Sequence, residues 1–133
     1  MNERVELTTP ARPEFLSLVR LSVGAAASRL DMTIDEIDDL QLAVEELCIT
    51  LFASAVGDRS RLVLCVEADE DVVLVECRLD GASAAPTPGS ALLPDSLSRK
   101  ILDALVDEHT LSTDGDVPTA TLKKRRDPSA NPR

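Results

Sequence analysis

The residue types that most often carry out chemistry are few in this sequence. Cys48, Cys65 and Cys77 lie far apart within apolar segments, and none has a second thiol at metal-ligand spacing. We therefore interpret them as small core side chains. His109 is the single histidine, and no neighbouring pattern of serine, cysteine or paired acids would make it the base of a nucleophile. We assign it no role.

A carboxylate and a hydroxyl four residues apart, Glu46 and Thr50, form a better candidate site. A spacing of four places both side chains on one stripe of a helix. The small residues Ala43 and Ala53 flank this stripe, so a ligand could approach the helix closely. Taken alone, Glu46 is more simply a solvated helix acid and Thr50 a structural residue.

Two helices are predicted in the first half of the chain. Alternation over Val5 to Thr8 indicates a short edge strand, and Pro13 opens a helix that runs to about Leu30. Its apolar face is predicted to contain Phe15, Leu18, Val19, Ser22, Ala26 and Leu30. Thr33 and Glu36 have capping-box spacing and start the second helix, which Gly57-Asp58 ends. This second helix carries Glu46 and Thr50.

The second half of the chain is predicted to be mostly strand. Residues 61–68 and 72–79 form a hairpin of two central strands, and residues 80–94 form a long loop. A third helix over 95–107 and a strand pair, 110–113 with 119–124 around Asp114-Gly115, complete the chain. This order predicts an α+β two-layer sandwich, with helices on one face of a mixed, mostly antiparallel sheet.

Length and charge limit the classes of function. With 133 residues, the chain suits a single domain, for which we predict residues 1–126, followed by a disordered tail at 127–133. A net charge of −10 and only two aromatic residues, both phenylalanine, argue against nucleic-acid binding and favour basic protein partners. No apolar run approaches a membrane span and no signal peptide is visible, so we expect a cytoplasmic protein without membrane contact.

The segment Leu42-Ala43-Val44-Glu45-Glu46-Leu47-Cys48-Ile49-Thr50 resembles the N box of the GHKL ATPase superfamily, specifically of the RsbW-type anti-sigma factors and serine kinases. The likeness extends along nearly the whole chain in the order of its elements. Leu18-Val19-Arg20, Ala104-Leu105-Val106-Asp107-Glu108 and Thr119-Ala120-Thr121-Leu122 also fall in the family's order. The sequence is therefore identified as a degenerate, actinobacterial-like member of this family.

The resemblance implies a role for several residues. Glu46 stands where the family has its general base towards a substrate serine, and Thr50 stands where an asparagine ligates the magnesium of ATP. Asp80, Gly81 and Thr119 fall at nucleotide-contacting positions, and Arg20 falls where the family has a partner-contacting arginine. Asp80 and Gly81 are equally good as plain turn residues.

Two boxes depart from the family's pattern. Leu79 aligns with the aspartate that binds adenine, and a shift of one residue to Asp80 would move the side chain to the other face of the strand. Ser96-Leu97-Ser98 stands in place of the glycines before the third helix. We therefore expect degenerate binding of magnesium-ATP or ADP.

The resemblance implies an anti-sigma factor that sequesters an alternative sigma factor, of the stress or developmental kind. A STAS-domain anti-anti-sigma factor would release it, and a homodimer is expected. The alternative from the enzyme class is an active serine kinase that phosphorylates this antagonist. A third possibility is an adaptor for another signalling protein, which would bind no sigma factor.

Overall fold

The computed structural model describes residues 3–53, 59–81, 96–112 and 117–127. The helices and strands are β1 (Glu3–Pro10), α1 (Leu16–Ala27), α2 (Ile34–Phe52), β2 (Arg61–Asp69), β3 (Val72–Asp80), α3 (Ser96–Leu105), β4 (Glu108–Ser112) and β5 (Thr119–Arg125). Short 3-10 turns at Pro13–Phe15 and Ser28–Leu30 flank α1. The predicted order of elements is confirmed. Gly57-Asp58, the predicted loop from residue 82 onward, Asp114-Gly115 and the tail after Asp127 lie outside the described residues.

The strands form one five-stranded sheet in the order β1-β2-β3-β5-β4, and each of its four pairings is antiparallel. β2 and β3 are internal strands, as predicted, and Leu64 lies opposite Cys77 in their register. β1 is an edge strand that pairs with β2 from Glu3, opposite Ala68, to Pro10, opposite Arg61. The sheet therefore places the ends of β3 and β5 side by side.

The three helices cover one face of the sheet, and the core lies between these two layers. Alternate residues of the inner strands are buried there, as a half-covered antiparallel sheet requires. The buried strand residues are Leu62, Leu64, Val66, Ala68, Val73, Val75, Cys77, Leu79, Ala120 and Leu122. They meet apolar residues of the helices, among them Val19, Val23, Leu40, Val44, Leu47, Leu51 and Leu102. The two-layer α+β sandwich is confirmed.

The start of α2 is fixed by the predicted capping box. The Glu36 main-chain N–H donates to Thr33 Oγ1 at 3.1 Å, and the Thr33 N–H donates to Glu36 Oε1 at 2.9 Å. These two bonds satisfy N–H groups that the first helical turn leaves without partners. The other oxygen of Glu36 accepts a bond from the main-chain N–H of Asp127 at 2.7 Å. One side chain thus joins the beginning of α2 to the residues after β5.

The buried face of α1 differs from the predicted one in its phase. Val19 and Ala26 are buried as expected, but Leu18 is 42% exposed and Val23 is fully buried. The predicted continuous helix from Pro13 to Leu30 is divided into a 3-10 turn, α1 and a second 3-10 turn. Within α1 the buried residues recur at three and four along a different stripe from the predicted one: Leu16, Val19, Val23, Ala26 and Ala27.

Candidate functional site

Glu46 and Thr50 lie on the side of α2 that faces α3, and both are half-buried. α2 holds them in place because the opposite side of the helix is anchored in the core by Leu40, Leu47 and Leu51. Their spacing of four residues puts them one turn apart on a single stripe, as the sequence predicted. Of the two, Glu46 contacts α3 directly, through Ser98.

The hydroxyl of Thr50 is engaged within its own helix. Thr50 Oγ1 donates to the main-chain carbonyl of Glu46 at 3.1 Å. Threonine commonly bonds the carbonyl four residues earlier when it stands in the middle of a helix. This bond uses the hydroxyl proton and fixes the direction of the remaining lone pairs.

The carboxylate of Glu46 is bonded by a serine of the third helix. Ser98 Oγ donates to Glu46 Oε1 at 2.5 Å, and Ser98 is 8% exposed. The sequence analysis placed Ser98 only as part of the altered glycine box and missed this contact. The available signal was its spacing of four from Leu102, because both residues fall on the one buried stripe of α3.

Few side chains anchor α3 to the rest of the domain. Ser98 and Leu102 are its buried residues, and Leu105 is half-buried. At its end, Lys124 Nζ donates to the carbonyl of Leu105 at 2.6 Å, which places a cation at the negative end of the helix dipole. The bond from Ser98 to Glu46 is thus one of the contacts that attach the first turn of α3 to α2.

Asp80 lies on the sheet face away from the helices. Leu79 is 1% exposed and points into the core, so its neighbours Arg78 and Asp80 point to the opposite face. There Arg78 Nε donates to Asp80 Oδ1 at 2.8 Å, and Nη2 donates to Oδ2 at 3.3 Å. The sheet itself separates Asp80 from Glu46. A nucleotide-binding role for Asp80 stays a prediction from the sequence.

The pairing of Asp80 with Arg78 predicts a measurable pH dependence. The hydrogen bond and charge of Arg78 lower the pKa of Asp80. Because the pKa is lower in the folded state, the pair stabilises the fold above the unfolded pKa, near pH 4, and this contribution is lost as the pH falls through the folded value. Both side chains are more than 40% exposed, so we expect at most about 1 kcal/mol.

An NMR titration of the Asp80 side-chain carboxyl carbon would test this directly. We expect a midpoint below the ordinary aspartate value, and Arg78→Gln should raise it towards that value. Arg125→Gln removes an exposed arginine opposite Val72, at the other end of β3 from Asp80, and should leave the midpoint unchanged. Equal shifts in both variants would show that general surface charge is responsible and not the Arg78 contact.

Gly81 and Thr119 lie near one end of the inner strands. Gly81 has φ = +76°, a conformation that favours glycine, and Ser60 Oγ donates to its carbonyl at 3.4 Å. Thr119 lies opposite Arg78 in the register of β3 and β5, and its Oγ1 donates to the carbonyl of Val117 at 3.2 Å. Both residues have local structural partners, and their ligand roles stay predictions.

Arg20 is exposed on α1, beside α2. Its main-chain carbonyl accepts a hydrogen bond from Gln41 Nε2 at 2.9 Å, which joins the two helices. Gly24, one turn later on α1, leaves the space that the Gln41 amide occupies. The position of Arg20 is thus fixed through its backbone, while its side chain extends from the helix layer.

The positions of the cysteines are typical of core side chains and not of a reactive site. Cys48 and Cys77 are fully buried, with their sulfur atoms 3.9 Å apart. The contact with Cys48 and burial together raise the pKa of Cys77 well above its ordinary value, so this thiol stays protonated. Cys65 is half-buried, and burial also raises the pKa of its thiol.

The described side chains do not fit a magnesium-bound nucleotide as they are arranged. Ser98 bonds the Glu46 carboxylate, and the Thr50 hydroxyl bonds its own helix. Leu79, at the position of the family's adenine-binding aspartate, is buried and cannot accept a hydrogen bond. Within the described ranges, no group of three or more His, Cys, Asp or Glu side chains could hold a metal ion.

Comparison with known proteins agrees with this architecture. No protein-family model matches the chain. It is 40% identical over 114 residues to the anti-sigma-F factor RsbW of Mycobacterium tuberculosis, an alignment that covers 86% of this chain and 64% of that protein. The serine-protein kinase RsbW of Halalkalibacterium halodurans is 29% identical over 134 residues, which cover 91% of this chain and 83% of that protein. The corresponding kinase of Bacillus subtilis is 46% identical over 44 residues.

In the described residues, three helices on one face of an antiparallel sheet form an α+β sandwich, which is consistent with the GHKL-like fold that the resemblance implies. In sequence, the chain is similar to proteins named RsbW along most of its length. It spans about 64% of the length of its Mycobacterium tuberculosis relative. In the part of the chain that the structure describes, no helix is long and apolar enough to span a membrane.

Proposed function

We propose that this protein is an anti-sigma factor that sequesters an alternative sigma factor and is released by a STAS-domain antagonist. The observation that carries the proposal is the 40% identity to an anti-sigma-F factor over 86% of the chain. A cytoplasmic location and a single domain over residues 1–126 with a short tail belong to the same proposal.

The charge of the chain supports a basic protein partner. A net charge of −10 gives a negative field that attracts and orients basic surfaces, and it opposes direct binding to nucleic acid. Inhibition then requires only that the protein cover a surface of the sigma factor in a stoichiometric complex. Arg20 is the proposed contact residue on the helix layer.

A homodimer is also proposed, paired through the sheet and the first helix. The sheet face away from the helices is open in the single chain, and Leu74 on that face is 42% exposed. On α1, Leu18 and Leu21 are 42% and 68% exposed. Apolar side chains exposed in both regions are compatible with a covered interface.

The test of the main proposal is affinity capture of the tagged chain from its native bacterium, followed by mass spectrometry of stoichiometric partners. We expect a sigma factor, a STAS-domain protein or both. Recovery of neither, under conditions in which such partners are expressed, would mean that the fold serves another partner and that the anti-sigma proposal is wrong.

Arg20 provides a sharper test once the partner is in hand. We expect Arg20→Ala to weaken binding by about tenfold or more if the arginine is a central contact. Arg99→Ala, which removes an exposed arginine from α3, is the control and should bind nearly as the unaltered protein does. Equal affinities for all three proteins would remove Arg20 from the interface.

The second candidate function is a serine kinase that phosphorylates the antagonist, with Glu46 as general base. The names of the Halalkalibacterium and Bacillus relatives favour it. Millimolar magnesium-ATP would then raise the melting temperature, and Glu46→Ala would abolish phosphate transfer while sigma binding persists. The absence of any thermal shift would exclude ATP-dependent regulation.

A further inference from the structure

A hydrogen bond between two distant elements of the described structure joins Glu46 to Ser98. The carboxylate belongs to α2, the hydroxyl to α3, and the two residues are 52 positions apart in sequence. At 2.5 Å the contact is as short as hydroxyl-to-carboxylate hydrogen bonds become. No turn or helix geometry brings these two atoms together, so the packing of α3 on α2 does.

Ser98 presents to Glu46 the same chemical group that a substrate serine would present. A general base must lie within hydrogen-bond distance of the hydroxyl whose proton it takes. Ser98 already fills that position on Oε1. An external serine would have to displace it.

We propose that Ser98 is an internal competitor for the Glu46 carboxylate and withholds that carboxylate from the hydroxyl of any protein substrate. The meaning of this contact rests on the second candidate function, the serine kinase, in which Glu46 is the candidate base. In this arrangement Glu46 anchors the first turn of α3 and performs no proton transfer. The contact gives Glu46 a structural role that does not depend on the two nucleotide-binding boxes, which here depart from the family's pattern.

Among the described residues, few other side chains of α3 are buried, so loss of this contact should have a measurable effect on the first turn of the helix. Ser98 and Leu102 are the buried residues of α3, and Leu102 is one turn further along the helix. Removing the hydroxyl leaves the Glu46 carboxylate without this donor and the first turn of α3 without this bond to α2. Glu46 should then become accessible to reagents in solution.

The test is carbodiimide-driven coupling of glycinamide to carboxylates, mapped by mass spectrometry on the purified, folded protein. Glu45 is the internal reference, because it is the neighbouring glutamate and is also half-buried. In the unaltered protein we expect Glu46 to react about tenfold more slowly than Glu45, given the strength of hydrogen bonds to charged groups. Comparable rates for Glu45 and Glu46 would overturn the proposal without any variant.

Three variants then assign the protection to the hydroxyl. Ser98→Ala should bring the Glu46 rate to that of Glu45, while Ser98→Thr, which keeps a hydroxyl, should restore protection. Ser96→Ala removes an exposed serine from the same helix turn and should change nothing. An unchanged Glu46 rate in Ser98→Ala would contradict the proposal. Sigma capture is measured separately, so failure of the labelling test and failure of the anti-sigma proposal are distinguishable.

Discussion

Replacing Leu47 by alanine should destabilise the protein by about 2–5 kcal/mol, the range for leucine removal from a well-packed core. Leu47 is 1% exposed on the core side of α2, between the sheet and the helix layer. The lost side chain leaves a cavity that the sheet below cannot fill, because its strands are fixed by ladders on both sides. Urea unfolding followed by circular dichroism would measure the change in the free energy of unfolding.

The same helix supplies a matched control. Leu42 is 53% exposed on the outer side of α2, so Leu42→Ala should change the free energy of unfolding by about 0.5 kcal/mol or less. Both variants replace leucine with alanine in one helix, so differences in helix propensity cancel. Similar losses in the two variants would show that α2 does not bury the face assigned to it.

Replacing Gly81 by alanine should cost about 1–3 kcal/mol through the backbone alone. Its φ of +76° lies in the left-handed region, which is unfavourable for residues with a Cβ atom. A Cβ atom there would also lie 2.8 Å from the carbonyl oxygen of Arg59, and main-chain atoms cannot move aside cheaply. Thermal and urea unfolding of Gly81→Ala would both show the loss.

Gly24→Ala is the control for this second prediction. A Cβ atom at Gly24 would meet the end of the flexible Gln41 side chain, which can turn away at the expense of its bond to Arg20. Alanine also favours the helix over glycine by about 0.5–1 kcal/mol, which offsets that loss. We therefore expect a net change near zero. A destabilisation equal to that of Gly81→Ala would show that the space available for the added Cβ atom, and not the backbone conformation, determines the loss of stability at both glycines.

The sequence was most informative where a local pattern and a tertiary contact require the same arrangement. Thr33 and Glu36 have capping-box spacing, and their bonds form within one helical turn, so no distant residue is needed. The alternation of β2 and β3 likewise predicts both the hairpin and its buried face. The face of α1 was predicted less well, because the predicted stripe contained Leu18 and Ser22 in place of Leu16 and Val23, and apolar residues recur at three and four along both stripes.

The candidate site was less predictable because its contacts are between distant elements. The positions of Glu46 and Thr50 on one stripe follow from their spacing, but the partner of Glu46 lies on α3, and nothing near Glu46 in sequence specifies Ser98. The orientation of Asp80 follows from strand alternation once Leu79 is known to be buried. What the sequence lacked was the packing angle of α3 on α2.

The bond between Glu36 and the main chain of Asp127 has a consequence for the synthesis of the protein. The two residues are 91 positions apart, so at bacterial rates of up to about 20 residues per second the ribosome adds Asp127 roughly five seconds or more after Glu36. During that time the start of α2 has its capping box but not its final partner. β5, which lies between β3 and β4, is also made last. The nascent chain therefore completes its sheet and secures α2 in the same late step, after translation has passed β5.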